Sequence, residues 1–338
     1  MGNKMPKDIG EIQIIEIFRK YCENLPHIFL GVASPTGIYE DVGAIELGNR
    51  RLLIVKTDMI GKKTHIPPKM TYFQMGRKAV VVNMSDLAAK GAEPLGLVFS
   101  VGLPSDISIE EIEAIAKGMG TAAKEYHTCI IGGDTNRTDD VILAGMALGV
   151  TTKDKILLRS GAQENDIVAV TGCIGGAAIG LYALLHDLEI KQSLLKYILE
   201  PRARLAESLS LANMKLLSSA GDISDGLALE LHKTSDASNK GMLIEESQLP
   251  IDEDIKEFAL TNGLNLIDMT LHVGEDFELL YTLPPKNWDK VKRQCEAMDL
   301  KITNIGRVTA DHKIQMKTRE GNIVPIKRKG FDKFLDKI

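Results

Sequence analysis

The sequence predicts two domains built from alternating strands and helices, of the α/β or α+β class. Its 338 residues exceed what one ordinary hydrophobic core fills, which favours two domains. Hydrophobic residues make up 44% of the chain and charged residues 26%, a balance typical of a soluble globular protein. Short β-branched runs alternate with segments whose apolar residues have helical spacing. We place the boundary near residues 151–158, which gives domains 1–152 and 153–338.

Charge and apolar patterning exclude several classes of partner. The 41 Lys and Arg against 46 Asp and Glu give a net charge of -5, which does not attract a nucleic-acid backbone. No stretch approaches the roughly 18 consecutive apolar residues of a membrane span. Four cysteines lie far apart without a C-x-x-C pair, which favours a reducing compartment. We therefore expect a cytoplasmic protein that binds neither nucleic acid nor membrane.

The first domain shows a clear succession of elements. Ile12, Ile15, Phe18 and Cys22 have helical spacing and predict a helix from Gly10 to about Asn24. The elements that follow are two strands in VGAIEL and RLLIVKTD, a helix that stops at Gly91, the strand LGLVFSVGLP, a helix opened by Ser108, and the strands TCIIGGD and VILAGMALGV. We expect TCIIGGD to break at its glycine pair, which would put IGGDT at a strand end.

The second domain continues the alternation. The strand DIVAVTG leads into a Gly-rich helix start. After it come a helix ending ILEPRARLAESLSLANMKLLSSAG, the segment DISDGLALELHKTSDASNKG, the strand MLIEE, the segment HVGEDFELLYTLPP, and a terminal strand and tail. No repeat of fixed period interrupts this order.

Aspartates recur at the predicted ends of strands and starts of helices, in Gly, Ser and Thr settings. They are Asp41, Thr57-Asp58, Asp86, Gly133-Asp134-Thr135 and Asp222-Ile223-Ser224-Asp225-Gly226. Hard cations such as Mg²⁺ take oxygen ligands and share them with substrate phosphates, so carboxylates gathered in one cleft would suit nucleotide chemistry. Each aspartate could instead cap a helix or close an Asx turn. The repeated pattern favours a site.

Phosphate-binding motifs of the common kinds are missing from the sequence. Neither G-x-x-x-x-G-K-[ST] nor a G-x-G-x-x-G after a strand occurs. Gly172-Cys173-Ile174-Gly175-Gly176 could cradle phosphate with its backbone N–H groups, or could serve tight packing. Arg159 and Lys62-Lys63 could supply positive charge. His65, in the Pro-flanked loop GKKTHIPP, suits either ligand contact or a plain surface loop.

Six segments together resemble thiamine-monophosphate kinases, over the chain from about Asp41 to Phe331. They are KTDM with His65 seven residues after Asp58, NMSDLAAKGAEP, IGGDT, LLRSGA, DISDGLALELH and GEDFELL. The resemblance implies direct transfer of the terminal phosphate of ATP to thiamine monophosphate, giving thiamine diphosphate, with Mg²⁺ and no phosphoenzyme. It also implies an N-terminal domain forming a dimeric β-barrel flanked by helices, and a C-terminal α+β sandwich domain that completes the cleft.

The resemblance assigns roles residue by residue. Metal positions match Asp41, Thr57, Asp58, Asp86, Asp134, Asp222 and Asp225. Nucleotide contacts match Gly133, Asp134, Arg159 and Ser224, and contacts to the thiamine substrate match His65, Glu275 and Phe331. No side chain is implied as a covalent catalyst, since phosphoryl transfer depends mainly on charge neutralisation and in-line positioning.

Three positions depart from the family pattern. Glu40 precedes Asp41 where an aspartate is common, Lys56 stands where a small hydroxyl residue is usual, and Phe331 replaces a Trp. Lys56 removes one possible ligand and puts a cation near the site. Phe331 keeps a ring for stacking.

Two other functions remain open from the sequence. One is an ATP-dependent ligase or cyclase like aminoimidazole ribonucleotide synthetase, which belongs to the same superfamily, because TDMIGKK is faintly similar to its Thr-Asp opening. The other is a non-catalytic nucleotide-binding regulator. IGGDT and DISDGL favour the kinase over the first, and the number of mutually repelling aspartates argues against the second.

Overall fold

Two mixed sheets and eleven helices build the described part of the chain. The computed structural model describes residues 5–8, 10–34 and 37–332, without the side chains at positions 7, 12 and 38. Ile12 is one of the four residues whose spacing predicted the first helix, and its side chain is among those not described. No helix in these ranges is long and apolar enough to cross a membrane.

The first sheet lies in the N-terminal half. Its strands are β1 Ile28–Leu30, β2 Gly43–Gly48, β3 Arg51–Gly61, β4 Glu93–Leu103, β5 Ile130–Arg137 and β6 Ile142–Thr152. Their order is β1-β2-β3-β6-β4-β5, and every pair is antiparallel except β4 with β5. Within the described residues β1 and β5 are its two edges, so one chain closes no barrel. The dimeric barrel implied by the resemblance is not formed by a single chain.

Four helices belong to the same half: α1 Gly10–Arg19, α2 Lys62–His65, α3 Tyr72–Ala89 and α4 Ile109–Glu125. Ser108 opens α4 with a capping box shared with Glu111, which confirms the predicted start. The first helix ends at Arg19, earlier than expected. The strand through the glycine pair continues to Arg137, so the prediction that IGGDT lies at a strand end is wrong.

The second sheet lies in the C-terminal half. Its strands are β7 Ile167–Thr171, β8 Ser219–Ile223, β9 Gly241–Glu245, β10 Glu278–Leu283, β11 Ile302–Thr309, β12 Ile314–Lys317 and β13 Ile323–Pro325, in the order β13-β12-β9-β11-β7-β10-β8. Its helices are α5 Gly176–Leu185, α6 Gln192–Leu199, α7 Leu205–Met214, α8 Leu227–Ser238, α9 Glu253–Thr261, α10 Leu266–His272 and α11 Trp288–Ala297.

Helix α3 lies at the centre of the molecule. Almost every residue from Met75 to Ala89 is buried, because the helix packs against α4, against β3 and β6 of the first sheet, and against α7 and β8 of the C-terminal half. A helix buried on all sides carries apolar residues all round. Polar side chains on α3 are therefore costly unless paired, which makes Lys78, Ser85 and Asp86 informative.

Candidate functional site

Three carboxylates from distant parts of the sequence meet beside α3. Asp41 precedes β2, Asp86 lies on α3, and Asp222 lies in β8. One oxygen of each lies within 4.8 Å of the others. Asp86 and Asp222 are buried, and Asp41 is partly buried. The sequence pattern predicted these residues as metal ligands, and the fold brings these three together.

The donor set of this group suits a hard cation. The Ser85 hydroxyl donates to Asp222 Oδ2 at 2.9 Å. Asp222 Oδ1 is buried and has no hydrogen-bond donor among the described residues, and the Arg159 guanidinium lies 3.8 Å from it. A buried carboxylate oxygen without a donor is costly unless a ligand pairs with it. All three side chains offer oxygen, as Mg²⁺ requires.

Two lysines enter the space around these carboxylates. Lys56 Nζ lies 3.1 Å from Asp86 and 3.5 Å from Asp58. Lys233 Nζ lies 3.5 Å from Asp41 and 3.4 Å from Asp225. Asp58 and Asp225 thus border the group through cations.

The pKa shifts follow from this crowding. Burial opposes the positive charge of Lys56, but Asp86 and Asp58 outweigh it and raise the pKa of Lys56. Burial acts to raise the pKa of Asp41, yet Arg159 and Lys233 hold that pKa well below its usual range. At Asp86 burial prevails and raises the pKa well above its usual range.

Arg159 does not face solvent. Its guanidinium is fully buried, donates two hydrogen bonds to Glu230 at 2.8 and 2.7 Å, and donates to Asp41 at 2.6 Å. In this structure the Arg159 guanidinium is engaged by Glu230 and Asp41, and it holds Asp41 in place. The predicted nucleotide contact at Arg159 stays a prediction.

Glu40 turns away from the carboxylate group. Its carboxylate pairs with the buried Lys90 and accepts from the Arg159 backbone N–H at 2.8 Å. Asp41, rather than its acidic neighbour, therefore joins Asp86 and Asp222. The metal position at Asp41 stays a prediction.

A pocket brings the three predicted substrate residues together. His65, Glu275 and Phe331 all line it, with apolar walls from Ile66, Leu181 and Val273. The fully buried Lys78 of α3 donates to Glu275 at 2.7 Å and to the carbonyl of His65 at 2.6 Å. One central helix therefore fixes two walls of the pocket.

The pocket adjoins the carboxylate group through two loops. Glu275 donates its backbone N–H to the Ser224 carbonyl at 2.7 Å, and Phe331 donates to the Asp225 carbonyl at 3.0 Å. A methyl group at Gly274 would lie 2.0 Å from the Ser224 carbonyl oxygen, so the contact requires glycine. Glu275 adopts φ 71, a left-handed conformation that is costly for a residue with a side chain.

The fold does not bring Thr57, Gly133 and Asp134 into the group. Side chains alternate along a strand, so Thr57 points to the face opposite Asp58, where its hydroxyl donates to the Gly145 carbonyl at 2.8 Å. Across the ladders Asp134 aligns with Ser100, Ala144 and Met59, on that opposite face. Asp134 also lies three strands, or about 14 Å, from Met59. One ion cannot contact both Asp58 and Asp134 in a single chain.

The Gly-rich segment after β7 already holds a carboxylate. Both oxygens of Asp276 accept from the Gly175 backbone N–H at 3.1 Å, at the start of α5. Burial raises the pKa of Asp276 to about 8. The candidate phosphate cradle is therefore closed by the protein itself.

Several residues of the site escaped sequence reasoning. Lys78, Ser85, Glu230 and Lys233 are polar residues on helices to which the sequence gave no role, although Ser85 lies within NMSDLAAKGAEP and Glu230 within DISDGLALELH. The available signal was Lys78 and Ser85 within the otherwise apolar run of α3. A charge inside a helix that is apolar all round requires a buried partner.

Comparisons with known proteins identify the family of this chain. Residues 39–151 match the family model of the AIR synthase related protein, N-terminal domain, and residues 163–319 match its C-terminal domain. Thiamine-monophosphate kinase of Pyrococcus abyssi is 36% identical over 313 residues, covering 93% of this chain and 92% of its own. The enzyme of the same name from Bacillus subtilis is 36% identical over 271 residues, covering 77% of this chain and 81% of its own.

A solved structure extends the likeness to three dimensions. AaThiL complexed with AMPPCP and TMP superposes with a TM-score of 0.84 at 26% identity, over 98% of this chain and 99% of that chain. The carboxylate group and the pocket thus stand in a fold shared along almost the whole length. This chain belongs to the AIR synthase related family, among the thiamine-monophosphate kinases.

Proposed function

We propose that this protein transfers the terminal phosphoryl group of ATP to thiamine monophosphate, giving ADP and thiamine diphosphate. The observation that carries the proposal is the convergence of Asp41, Asp86 and Asp222 within 4.8 Å beside the pocket of His65, Glu275 and Phe331. The relatives named thiamine-monophosphate kinase, and the neighbour holding AMPPCP and TMP, support the same reaction.

The chain's own residues position the two substrates. We assign one divalent cation, Mg²⁺, to Asp41, Asp86 and Asp222, where it would neutralise phosphate charge. Phe331 offers a ring for stacking on the acceptor, and Glu275 offers a carboxylate that Lys78 holds in place. The attacking oxygen is the acceptor's own phosphate oxygen, so neither a nucleophilic side chain nor a phosphoenzyme is required.

Five further assignments complete the proposal. Asp58 and Asp225 border the carboxylate group through Lys56 and Lys233. Thr57, Gly133 and Asp134 act from outside this group. Ser224 meets the nucleotide from the loop after β8. Arg159 orients Asp41 through its 2.6 Å hydrogen bond. The division into domains 1–152 and 153–338 also belongs to the proposal.

A product assay tests the activity. The protein is incubated with ATP and Mg²⁺, and with either thiamine monophosphate or formylglycinamidine ribonucleotide as acceptor. We expect thiamine diphosphate and ADP in equal amounts from the first mixture and no product from the second. Product from the second mixture alone would support the ligase or cyclase. Nucleotide binding without product in either would support a regulator.

We further propose a cytoplasmic homodimer in which the first sheet pairs with its copy to complete a barrel. All eight residues of the edge strand β5 are exposed, Ile131 at 57%, and the exposed Met59 and Leu95 lie on nearby strands. An open edge with exposed apolar residues is prone to pairing. The cysteines Cys22, Cys129, Cys173 and Cys295 are all free, in keeping with a reducing compartment.

Sedimentation velocity tests the dimer. We expect the wild-type chain to sediment as a dimer and Ile131→Lys to shift it toward the monomer, because a charge would be buried at the pairing edge. Leu260→Lys, at an 84% exposed position on α9, serves as the control and should leave the dimer intact. Monomeric wild-type protein, or a dimer unaffected by Ile131→Lys, would contradict the proposal.

A further inference from the structure

Lys56 occupies a position between two carboxylates that would otherwise suit a metal ion. Its side chain is 13% exposed and its ammonium lies 3.1 Å from Asp86 Oδ2 and 3.5 Å from Asp58 Oδ2. Lys56 and Asp58 share one face of β3, since residues two apart on a strand point the same way. The ammonium therefore bridges β3 and α3 between two carboxylates.

A divalent ion and this ammonium exclude each other. Mg²⁺ binds carboxylate oxygen at about 2.1 Å, so an ion between the same two oxygens would overlap the Lys56 nitrogen. Both would also be cations in one small, largely buried space. On the other side of Asp86, toward Asp41 and Asp222, the cations Arg159 and Lys233 are held at Asp41, 2.6 and 3.5 Å from its carboxylate. Asp222 Oδ1 there has no hydrogen-bond donor among the described residues.

We infer that Lys56 is a tethered cation that takes the place of one divalent ion between Asp58 and Asp86. The chain then holds one divalent ion fewer than its carboxylates alone would hold. Its single positive charge is always present and cannot be removed by a chelator. The inference rests on the proposed function in treating Asp41, Asp86 and Asp222 as a cation site.

Equilibrium dialysis with Mn²⁺ tests this inference directly. Mn²⁺ bound per chain is counted in the presence of AMPPCP for the wild type and for Lys56→Ala. We expect the variant to bind one more Mn²⁺ per chain than the wild type. Mn²⁺ should also raise the Tm of Lys56→Ala more than that of the wild type, because the added ion binds only the folded state.

Lys191→Ala is the matched control. Lys191 also bridges two carboxylates, those of Asp254 and Glu257 at 2.8 and 3.1 Å, but its side chain is 56% exposed. Its removal changes the net charge equally and leaves a similar acidic pair. We expect its Mn²⁺ count to equal that of the wild type.

A second variant decides the question if Lys56→Ala does not fold. Asp58→Asn in the wild-type background should leave the Mn²⁺ count unchanged, because Asp58 is engaged by Lys56 rather than by an ion. Equal counts for the wild type and Lys56→Ala, or a count lowered by one in Asp58→Asn, would overturn the inference. The count is independent of turnover, so a protein inactive on thiamine monophosphate would overturn the proposed function alone.

Discussion

Two neighbouring carboxylates at the centre of the site have pKa values that are shifted in opposite directions, although burial acts to raise both. Burial raises the pKa of Asp86 well above its usual range, while Arg159 and Lys233 overcome burial and hold the pKa of Asp41 low. The difference reflects the number of cations that lie next to each carboxylate. Asp41 has two such cations, whereas Asp86 has Lys56 and faces Asp222.

Replacement of Asp86 tests the cation group. Asp86→Asn keeps the shape of the side chain and removes a charge. We expect kcat to fall by about 100-fold or more, because the negative charge on the transferring phosphoryl group is less well stabilised. The Tm should fall by only a few degrees, because the loss of the charge pairing with Lys56 is offset by relief of the repulsion from Asp222. Asp289→Asn, on α11, is the control for steady-state assays. Wild-type kcat in Asp86→Asn would remove this residue from the mechanism.

Replacement of Phe331 tests the pocket. Phe331→Ala removes a ring that can stack on the acceptor, and stacking contributes about 0.5–1.5 kcal/mol. We therefore expect the KM for thiamine monophosphate to rise about threefold to tenfold, and the KM for ATP to change less. Phe18→Ala removes an equal ring from α1, where Phe18 is 69% exposed, and should change neither value. Equal effects of Phe331→Ala on both substrates would show that the ring does not contact the acceptor.

At the scale of elements, α3 organises the site. Its Lys78 supports the pocket, while its Ser85 and Asp86 support the carboxylate group. Ser85 and Asp86 follow Lys78 by seven and eight residues, so about two helical turns separate the pocket from the carboxylate group. Burial on all sides keeps this helix from moving independently of either sheet.

The start of α5 provides a pH-dependent contribution to stability. The pKa of Asp276 is raised by burial to about 8, whereas an unfolded aspartate has a pKa of about 3.9. Between these two values the folded chain retains a proton that the unfolded chain has released. The contribution of Asp276 to stability must therefore fall as pH rises through this window.

Asp276→Asn isolates this contribution. The amide cannot ionise but can still accept from the backbone N–H of Gly175, so we expect the Tm of the wild type relative to the variant to decrease from pH 5 to pH 8. Calorimetry at several pH values measures the difference. Asp311→Asn, an exposed replacement beyond β11, is the control. A Tm difference that stays constant, or grows with pH, would contradict the raised pKa.

At the scale of the whole molecule, buried ion pairs join the two halves of the chain. Arg159, from the C-terminal half, contacts Asp41 of the N-terminal half and Glu230 on α8. The cation group takes Asp41 and Asp86 from one half and Asp222 from the other. The candidate site therefore requires both halves in contact.

Loss of Glu230 should weaken this junction. Glu230→Gln leaves the fully buried Arg159 without its bidentate partner, and breaking a buried pair costs about 3 kcal/mol or more. We expect a lower Tm and, because Asp41 loses its support, weaker Mn²⁺ binding. Glu253→Gln, at an 85% exposed side chain paired with Lys256, should change neither quantity. An unchanged Tm in Glu230→Gln would show that the pair contributes nothing to stability.

Local sequence determined the elements and the candidate residues. Apolar spacing and the Ser108 cap give the start of α4, and the segments around Asp41, Asp86 and Asp222 identify the carboxylates, because these signals lie within a few neighbouring residues. The predicted end of β5 is wrong. Backbone pairing with β4 continues the strand through Gly132 and Gly133, although glycine has a low strand propensity.

Tertiary structure alone decided which candidates meet. Asp41, Asp86 and Asp222 share one space, and Lys56 enters it, whereas strand register turns Thr57 and Asp134 to the opposite face. Because α3 is buried between elements of both sheets, its Lys78 can bond to Glu275 and its Ser85 to Asp222. The physical reason is that contact between distant segments depends on how sheets and helices pack, which residue spacing along the chain does not encode locally.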